Sequence, residues 1–288
     1  MFSSFINHPP HYFFGYIALS VDHYENFPVA SVILPKYLRA PIETIYRFAR
    51  SADDIADATD LPPDFKRDRL AFFRTELKQI KSDAPPLTPL FSELSILISQ
   101  YKLPIGLFFQ LLDAFEQDLN VKRYENFTRL EEYCANSANP IGRIVLHLFG
   151  HTDEEYLIWS DSICTSLQII NFLQDVKDDY DLGRIYLPKD EMDSFGVTED
   201  HIKNRIFDLH WLNFMNFQLD RANRYLDDGS NLYENLPRRL GIEIKMIVKS
   251  GLQVITKLNA SRGNVFVTDH KMNSLDFIKI LYQTAFRT

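Results

Sequence analysis

Apolar residues recur along this chain every three or four positions and seldom alternate one for one, so the pattern predicts helices and no convincing strand. Pro41, with Glu43 two positions on, predicts the opening of a helix that runs to about residue 58, where Leu61-Pro62-Pro63 stops it. Residues 64–81 read as an amphipathic helix with Phe65, Leu70, Phe73, Leu77 and Ile80 near one side. Helices over roughly 87–100, 104–121, 128–149 and 154–181 follow after short breaks. Pro188 marks the next break, and further helices are predicted over about 199–228, 237–260 and 273–286. Nothing resembles a repeat, a low-complexity tract or a long linker. The expectation is one all-α domain over residues 1–288, built from about ten helices.

Composition sharpens this reading. Phe and Tyr number 23 and 14 against 10 Gly, which favours long helices around a bulky apolar interior over a turn-rich sheet protein. The formal charge of −8 and the lack of a basic stripe argue against nucleic acid as a partner. An acidic chain can still take an anionic substrate when divalent cations mediate the contact. Cys134 and Cys164 lie in helix-like apolar settings without metal-ligand spacing, and read as buried thiols of a reducing compartment. The first twenty residues contain no Lys or Arg, unlike the basic start of a signal peptide, and no apolar run approaches the ~18 residues of a spanning helix. A cytoplasmic protein is expected, touching at most the surface of a membrane.

Candidate chemistry lies in two acidic clusters. In Arg50-Ser-Ala-Asp53-Asp54-Ile-Ala-Asp57-Ala-Thr-Asp60, residues 53, 57 and 60 stand at i, i+4 and i+7, so a helix would place three carboxylates on one face. Like charges at that spacing repel, and the nearby helix C-terminus disfavours them further. A solvated acidic helix end is one explanation; a bound cation that reverses the electrostatics is the other. A second cluster, Asn171-Phe-Leu-Gln174-Asp175-Val-Lys-Asp178-Asp179-Tyr-Asp181, favours the cation. There Gln168, Asn171, Asp175 and Asp179 form a stripe of amides and carboxylates with no counter-charge. Paired carboxylates suit Mg²⁺, which shares its coordination sphere with phosphate oxygens, and the scarcity of His and Cys argues against zinc. Arg50, and Arg184 with Tyr186, could hold a released anion or serve as ordinary surface ion pairs.

At these residues the sequence resembles the squalene and phytoene synthase family. Tyr46-Arg-Phe-Ala-Arg50-Ser-Ala-Asp53-Asp-Ile-Ala-Asp57 is similar to its first aspartate-rich motif, and Asn171 through Asp175, Asp179, Arg184 and Tyr186 to Pro188 is similar to its second. The similarity runs from about residue 20 to about 260. It implies an all-α isoprenoid-synthase bundle around a central apolar cavity, Mg²⁺ dependence and a prenyl diphosphate substrate. Asp53, Asp57, Asp175 and Asp179 would ligate the metal. His23, Tyr24 and Phe27 would line the substrate site beside Tyr46, with Gln168 and Asn171 contacting substrate or metal-bound water.

Two further stretches, Val21-Asp-His23-Tyr24-Glu-Asn26-Phe27-Pro28 and Cys134-Ala-Asn136-Ser-Ala-Asn139-Pro140-Ile-Gly142-Arg143, resemble the hydroxysqualene synthase branch. That branch ionises presqualene diphosphate and adds water; its pathway neighbours are a presqualene diphosphate synthase and a squalene-forming reductase. The absence of a strand and glycine-rich turn for a dinucleotide fits a water-quenched reaction. Asn136 and Asn139, expected on a helix kinked by Pro140, are candidates for water delivery, or else satisfy backbone groups that the proline frees. Head-to-head condensation of two farnesyl diphosphates is the alternative reaction, followed by direct phytoene or dehydrosqualene synthesis. The chain departs from some relatives in carrying Gln174 where they have Arg, and in lacking an Arg-Pro pair near residues 260–270. Catalytically silent assembly proteins of the superfamily would have eroded carboxylates, and here both clusters are complete.

Overall fold

The computed structural model describes residues 35–267 and 270–286, so His23, Tyr24 and Phe27 lie outside the described residues. In chain order the elements are α1 (Lys36–Asp57), α2 (Pro63–Lys81), α3 (Pro89–Tyr101), α4 (Ile105–Asp118), β1 (Arg123–Tyr124), α5 (Phe127–Ser137), α6 (Asn139–Phe149), α7 (Glu154–Gln174), α8 (Val176–Asp181), β2 (Ile185–Pro188), α9 (Lys189–Ser194), α10 (Glu199–Lys203), α11 (Leu209–Gly229), α12 (Asn231–Asn235), α13 (Arg238–Ala260) and α14 (Ser274–Phe286). The architecture is all-α, as the periodicity predicts.

Helix boundaries differ from expectation where proline or packing intervenes. The first helix begins at Lys36, with Pro41 inside it. The carbonyl that Pro41 leaves without a helical donor belongs to Tyr37, in an exposed first turn where water can satisfy it. The span expected as one helix over 128–149 is two, because Pro140 occupies the first turn of α6 and starts a helix. Phe65 is exposed, and α2 packs instead through Leu70, Phe73, Leu77 and Ile80. The buried Glu76 of α2 accepts from the backbone N–H groups of Leu87 and Thr88, placing negative charge at the start of α3.

A short parallel pair of strands was not expected. β1 pairs with β2 in register Arg123↔Ile185, with an irregularity before Tyr124↔Pro188. β1 has only two residues and all four residues of β2 are buried, so a period-two signal is absent.

The bundle is organised around α7, in which every side chain from Ile163 to Leu173 is buried. Small residues let neighbouring helices approach it. A Cβ built on Gly229 of α11 would stand 2.5 Å from Ile163 Cγ1 and 2.7 Å from the Trp159 carbonyl oxygen, and one on Gly251 of α13 would stand 2.9 Å from Leu167 Cδ2. The Ser166 hydroxyl donates to the Ala222 carbonyl across the α7–α11 contact at 2.6 Å. A separate group of rings, Phe48, Phe73, Phe91 and Phe108, ties α1 through α4 together with centroid separations of 5.0–6.0 Å. Each such edge or tilted pair contributes about 0.5–1.5 kcal/mol beyond area burial.

Gly229→Ala drives a methyl group into backbone that cannot retreat without separating α11 from α7. A loss of about 1–3 kcal/mol is expected in urea unfolding, while Gly106→Ala, where nothing lies within 4 Å, should leave the midpoint near wild type or higher.

Candidate active site

The first acidic motif occupies the last turns of α1. Helical geometry ends at Asp57, so Asp53 and Asp57 share a face while Asp60 lies beyond the helix and is exposed. Asp53 is 1% exposed. Burial first, and then the neighbouring Asp57 charge, hold its carboxyl well above the usual carboxylate range, against an opposing pull from Arg50. Arg50 reaches Asp54 at 2.9 Å and Asp53 at 3.6 Å, so its guanidinium stays beside its own helix. Lys66 of α2 donates to the Ala56 carbonyl at 3.0 Å, which offsets the negative end of α1 where Asp57 stands.

The second motif faces the first through Arg184. Asp175 is the half-buried junction of α7 and α8, and i→i−4 hydrogen bonds run through it, from Asp175 to Asn171 at 2.9 Å and from Asp179 to Asp175 at 2.8 Å. The continuous helix expected over 154–181 is therefore interrupted at Asp175, but the turn linking it to Asp179 is kept. α8 ends in a Schellman motif: Gly183, at φ +79°, donates to Tyr180 and Arg184 donates to Asp179. That closure turns Arg184 back toward the acidic faces. Its Nη1 lies 2.7 Å from Asp57 Oδ1 and its Nη2 lies 3.8 Å from Asp179 Oδ1, with Arg184 and Asp179 both deeply buried. Two motifs far apart in sequence thus converge on one guanidinium.

Beside this pair is a group that the sequence reading missed. Asp118, at the end of α4, is 2% exposed and accepts from the hydroxyls of Tyr133 and Tyr186, each at 2.8 Å. Burial pushes its carboxyl up to about 7, while Arg184 and the two hydroxyls oppose the rise. The Tyr186 ring stacks on Phe172 at 4.3 Å and on Tyr124 at 5.6 Å, and the Arg184 guanidinium lies 5.8 Å from its centroid. Tyr186, expected to hold an anion, therefore directs its hydroxyl at a carboxylate. The β1–β2 pairing holds this box together, with Ile185 N donating to the Lys122 carbonyl at 3.0 Å and Arg123 donating to the Gly183 carbonyl at 2.8 Å. An Asp in the final turn of a helix resembles any helix-end acid in sequence; only the later tyrosines reveal its partners.

The amide stripe of α7 is buried as well. Gln168 is fully buried, and neither its Oε1 nor its Nε2 has a hydrogen-bond partner among the described residues. An unsatisfied buried amide costs about 1–3 kcal/mol, which is unusual outside a functional site. Asn171 is buried one turn on, and Tyr46 is half-buried on α1. Asn139 accepts from the Thr165 hydroxyl at 3.0 Å through its Oδ1. Pro140 begins a helix, so the kink supposed at this point, with backbone groups freed for the amides, does not occur. Asn136 is half-buried on α5.

A small apolar pocket, partly open to solvent, lies against α7 between α6 and α13, with Gly142, Ile163, Cys164, Leu167, Ile244 and Ile247 in its wall. Cys134 and Cys164 are free and buried, and burial pushes the Cys164 thiol up to about 12. From Cys164 at the cavity to Asp175 the helix climbs about 16 Å, at 1.5 Å per residue. Gln168 and Asn171 fall between.

Asp53 Oδ1 and Asp57 Oδ2 are buried oxygens with no hydrogen-bond partner among the described residues. Also among these residues, no three His, Cys, Asp or Glu side chains already converge as ligands would. Tyr186→Phe deletes one hydroxyl from Asp118 while keeping the stacked ring. It is expected to lower stability in denaturant titration at pH 8 by about 1–2 kcal/mol, because the carboxylate loses a donor. The loss should shrink as pH falls below 6, where Asp118 is protonated and needs that donor less.

The profile of the squalene/phytoene synthase family matches residues 21–276. A hydroxysqualene synthase of Sinorhizobium fredii is 33% identical over 241 residues, covering 81% of this chain and 79% of that protein. One of Zymomonas mobilis is 41% identical over 180 residues, 60% of this chain and 58% of the relative's length. Among solved structures, the squalene synthase HpnC from Alicyclobacillus acidocaldarius superposes with a TM-score of 0.78 at 32% identity, covering 83% of this chain and 90% of that one. A dehydrosqualene synthase shares the fold, with a TM-score of 0.79 at 22% identity and 88% coverage of both chains. An acidic face on α1 opposed by one at the α7–α8 junction, on an all-helical bundle matched along most of its length, makes this chain an enzyme of the squalene/phytoene synthase family.

Proposed function

We propose that this chain converts presqualene diphosphate and water to hydroxysqualene and diphosphate, with magnesium as its cofactor. The observation that carries the reading is the convergence of Asp57 and Asp179 on Arg184, which would suit an anion and its counter-ions. The hydroxysqualene synthases among its relatives favour this reaction over others of the family.

The donor set fits a hard divalent cation: carboxylate oxygens without sulfur, two of them buried and unpartnered, and an Asp53 carboxyl whose burial beside Asp57 a cation would relieve. Asp53, Asp57, Asp175 and Asp179 would hold it. When bound, magnesium neutralises the charge that develops on the diphosphate as the carbon–oxygen bond breaks. Arg184 and Arg50 would bind the departing anion. The apolar pocket along α7 would receive part of the substrate's apolar chain. Gln168 is suited to orient the single water that adds, because its buried amide offers both a donor and an acceptor that the protein leaves unused. Asn139, engaged by Thr165, suits that task less well.

Purified protein with presqualene diphosphate and Mg²⁺ is expected to yield hydroxysqualene, identified by mass spectrometry, without NADPH. Asp53→Asn and Asp179→Asn should each reduce turnover by roughly a thousandfold or more, if charge stabilisation is as large as is usual for such sites. Turnover of farnesyl diphosphate to presqualene diphosphate instead would assign the chain to the condensing step, the activity named for another Sinorhizobium fredii relative at 27% identity.

Gln168→Leu separates stability from function. Removing an unsatisfied amide should raise unfolding stability by about 1–3 kcal/mol while lowering the ratio of alcohol to alkene among products of presqualene diphosphate. A variant as active and selective as wild type would remove Gln168 from water delivery.

A further inference from the structure

We propose that the outward face of α14 is a docking surface for an anionic lipid bilayer. The helix is fixed in place. Asn273 accepts at Oδ1 from the N–H groups of Leu275 and Asp276, both at 3.0 Å, and Asp276 reciprocates by accepting from Asn273 N at 2.9 Å, a capping box that defines the helix start. Asp276 is then pinned to α13 by Lys257 at 2.5 Å and by Gln253 at 3.2 Å. At the other end Lys249 donates to the Gln283 carbonyl. Phe277 and Ile280 bury the inner face.

The outer face is as apolar as the inner one. Leu275, Ile278 and Tyr282, at i, i+3 and i+7, are 76%, 63% and 62% exposed, with Leu281 beside them. A helix apolar on both sides is normally covered on both sides. Among the described residues, Ile206, Phe207 and Leu209 form a smaller exposed apolar group before α11 and the others, such as Tyr37, Leu87, Ile96 and Ile158, stand singly, whereas four fall within eight positions of α14 on one regular helix face.

Charge selects the occupant. The chain carries −8 overall, yet among the described residues of this helix and its approach from residue 270 the exposed charges are Lys279 and Lys271, and the helix's one acid, Asp276, is buried against Lys257. A basic rim around an apolar stripe suits a helix lying in the plane of an anionic interface. A second copy would fit less well, because a two-fold contact through this stripe brings Lys279 toward its own symmetry mate. The proposal stands independently of the reaction assigned above, since binding is measured without turnover.

Full-length protein should co-sediment with vesicles of mixed phosphatidylglycerol and phosphatidylcholine, more weakly with phosphatidylcholine alone, and less as salt rises. Ile278→Glu should reduce partitioning into the anionic vesicles by roughly tenfold or more, as expected for losing one buried aliphatic side chain. Ile96→Glu, at another exposed position, should leave it unchanged. Both positions are exposed, and an unaltered melting temperature confirms that each variant folds. Absence of vesicle binding, or equal loss in the two variants, overturns the proposal. So does a concentration-dependent dimer that Ile278→Glu abolishes in protein that ignores vesicles, since the face would then belong to a second copy.

Discussion

The ion pairs that join Asp57 and Asp179 to Arg184 are the constraint around which the site is built. A buried guanidinium is tolerable only with close partners, and a buried carboxylate likewise. Each of the three charges is therefore conditional on the other two. The balance is nevertheless uneven: Asp53 and Asp118 crowd the same region, and burial raises the carboxyls of both. Arg50 and Arg184 are outnumbered by the acids around them, an imbalance that further positive charge would relieve.

Secondary structure is used to hold the conflict in place. Asp53, Asp57 and Asp118 stand at helix C-terminal ends, where backbone dipoles disfavour them, and lysines answer at the same ends: Lys66 on the last turn of α1 and Lys122 on the Asp118 carbonyl of α4. The Gly183 turn aims Arg184, and Arg123 reaches that turn's carbonyl while gripping Glu199 at 2.7 Å. Stacked rings of Phe172, Tyr186 and Tyr124 then fix the orientation of the hydroxyls that serve Asp118. Rigid packing of this kind converts a charge cluster into a defined geometry.

Most helices were legible in the sequence because each buries one stripe of a 3.6-residue period, and α7 was legible although buried all round from Ile163 to Leu173 because Gln168, Asn171 and Asp175 form one polar stripe. The aspartate pairs were visible because they break two helix rules together. What escaped was non-local. β1 and β2 are too short to show a period, Asp118 acquires meaning only from Tyr133 and Tyr186, and the role of Asn139 depends on Thr165 in the following helix. The break at Asp175 illustrates the same limit, since local spacing does not say where a helix is interrupted when no glycine or proline marks it.

The bond from Arg184 to Asp57 closes a loop of 127 positions. Loop-closure entropy rises slowly with length, by about 0.6 kcal/mol per doubling, but contacts of such wide separation retard folding and follow the local helices in time. The acidic pocket therefore belongs to the last part of the molecule to assemble, and a half-folded or truncated chain has helices without the charge clamp. For the reaction proposed above that order would be useful, because the capacity to start ionisation would arrive only with the walls that contain its product.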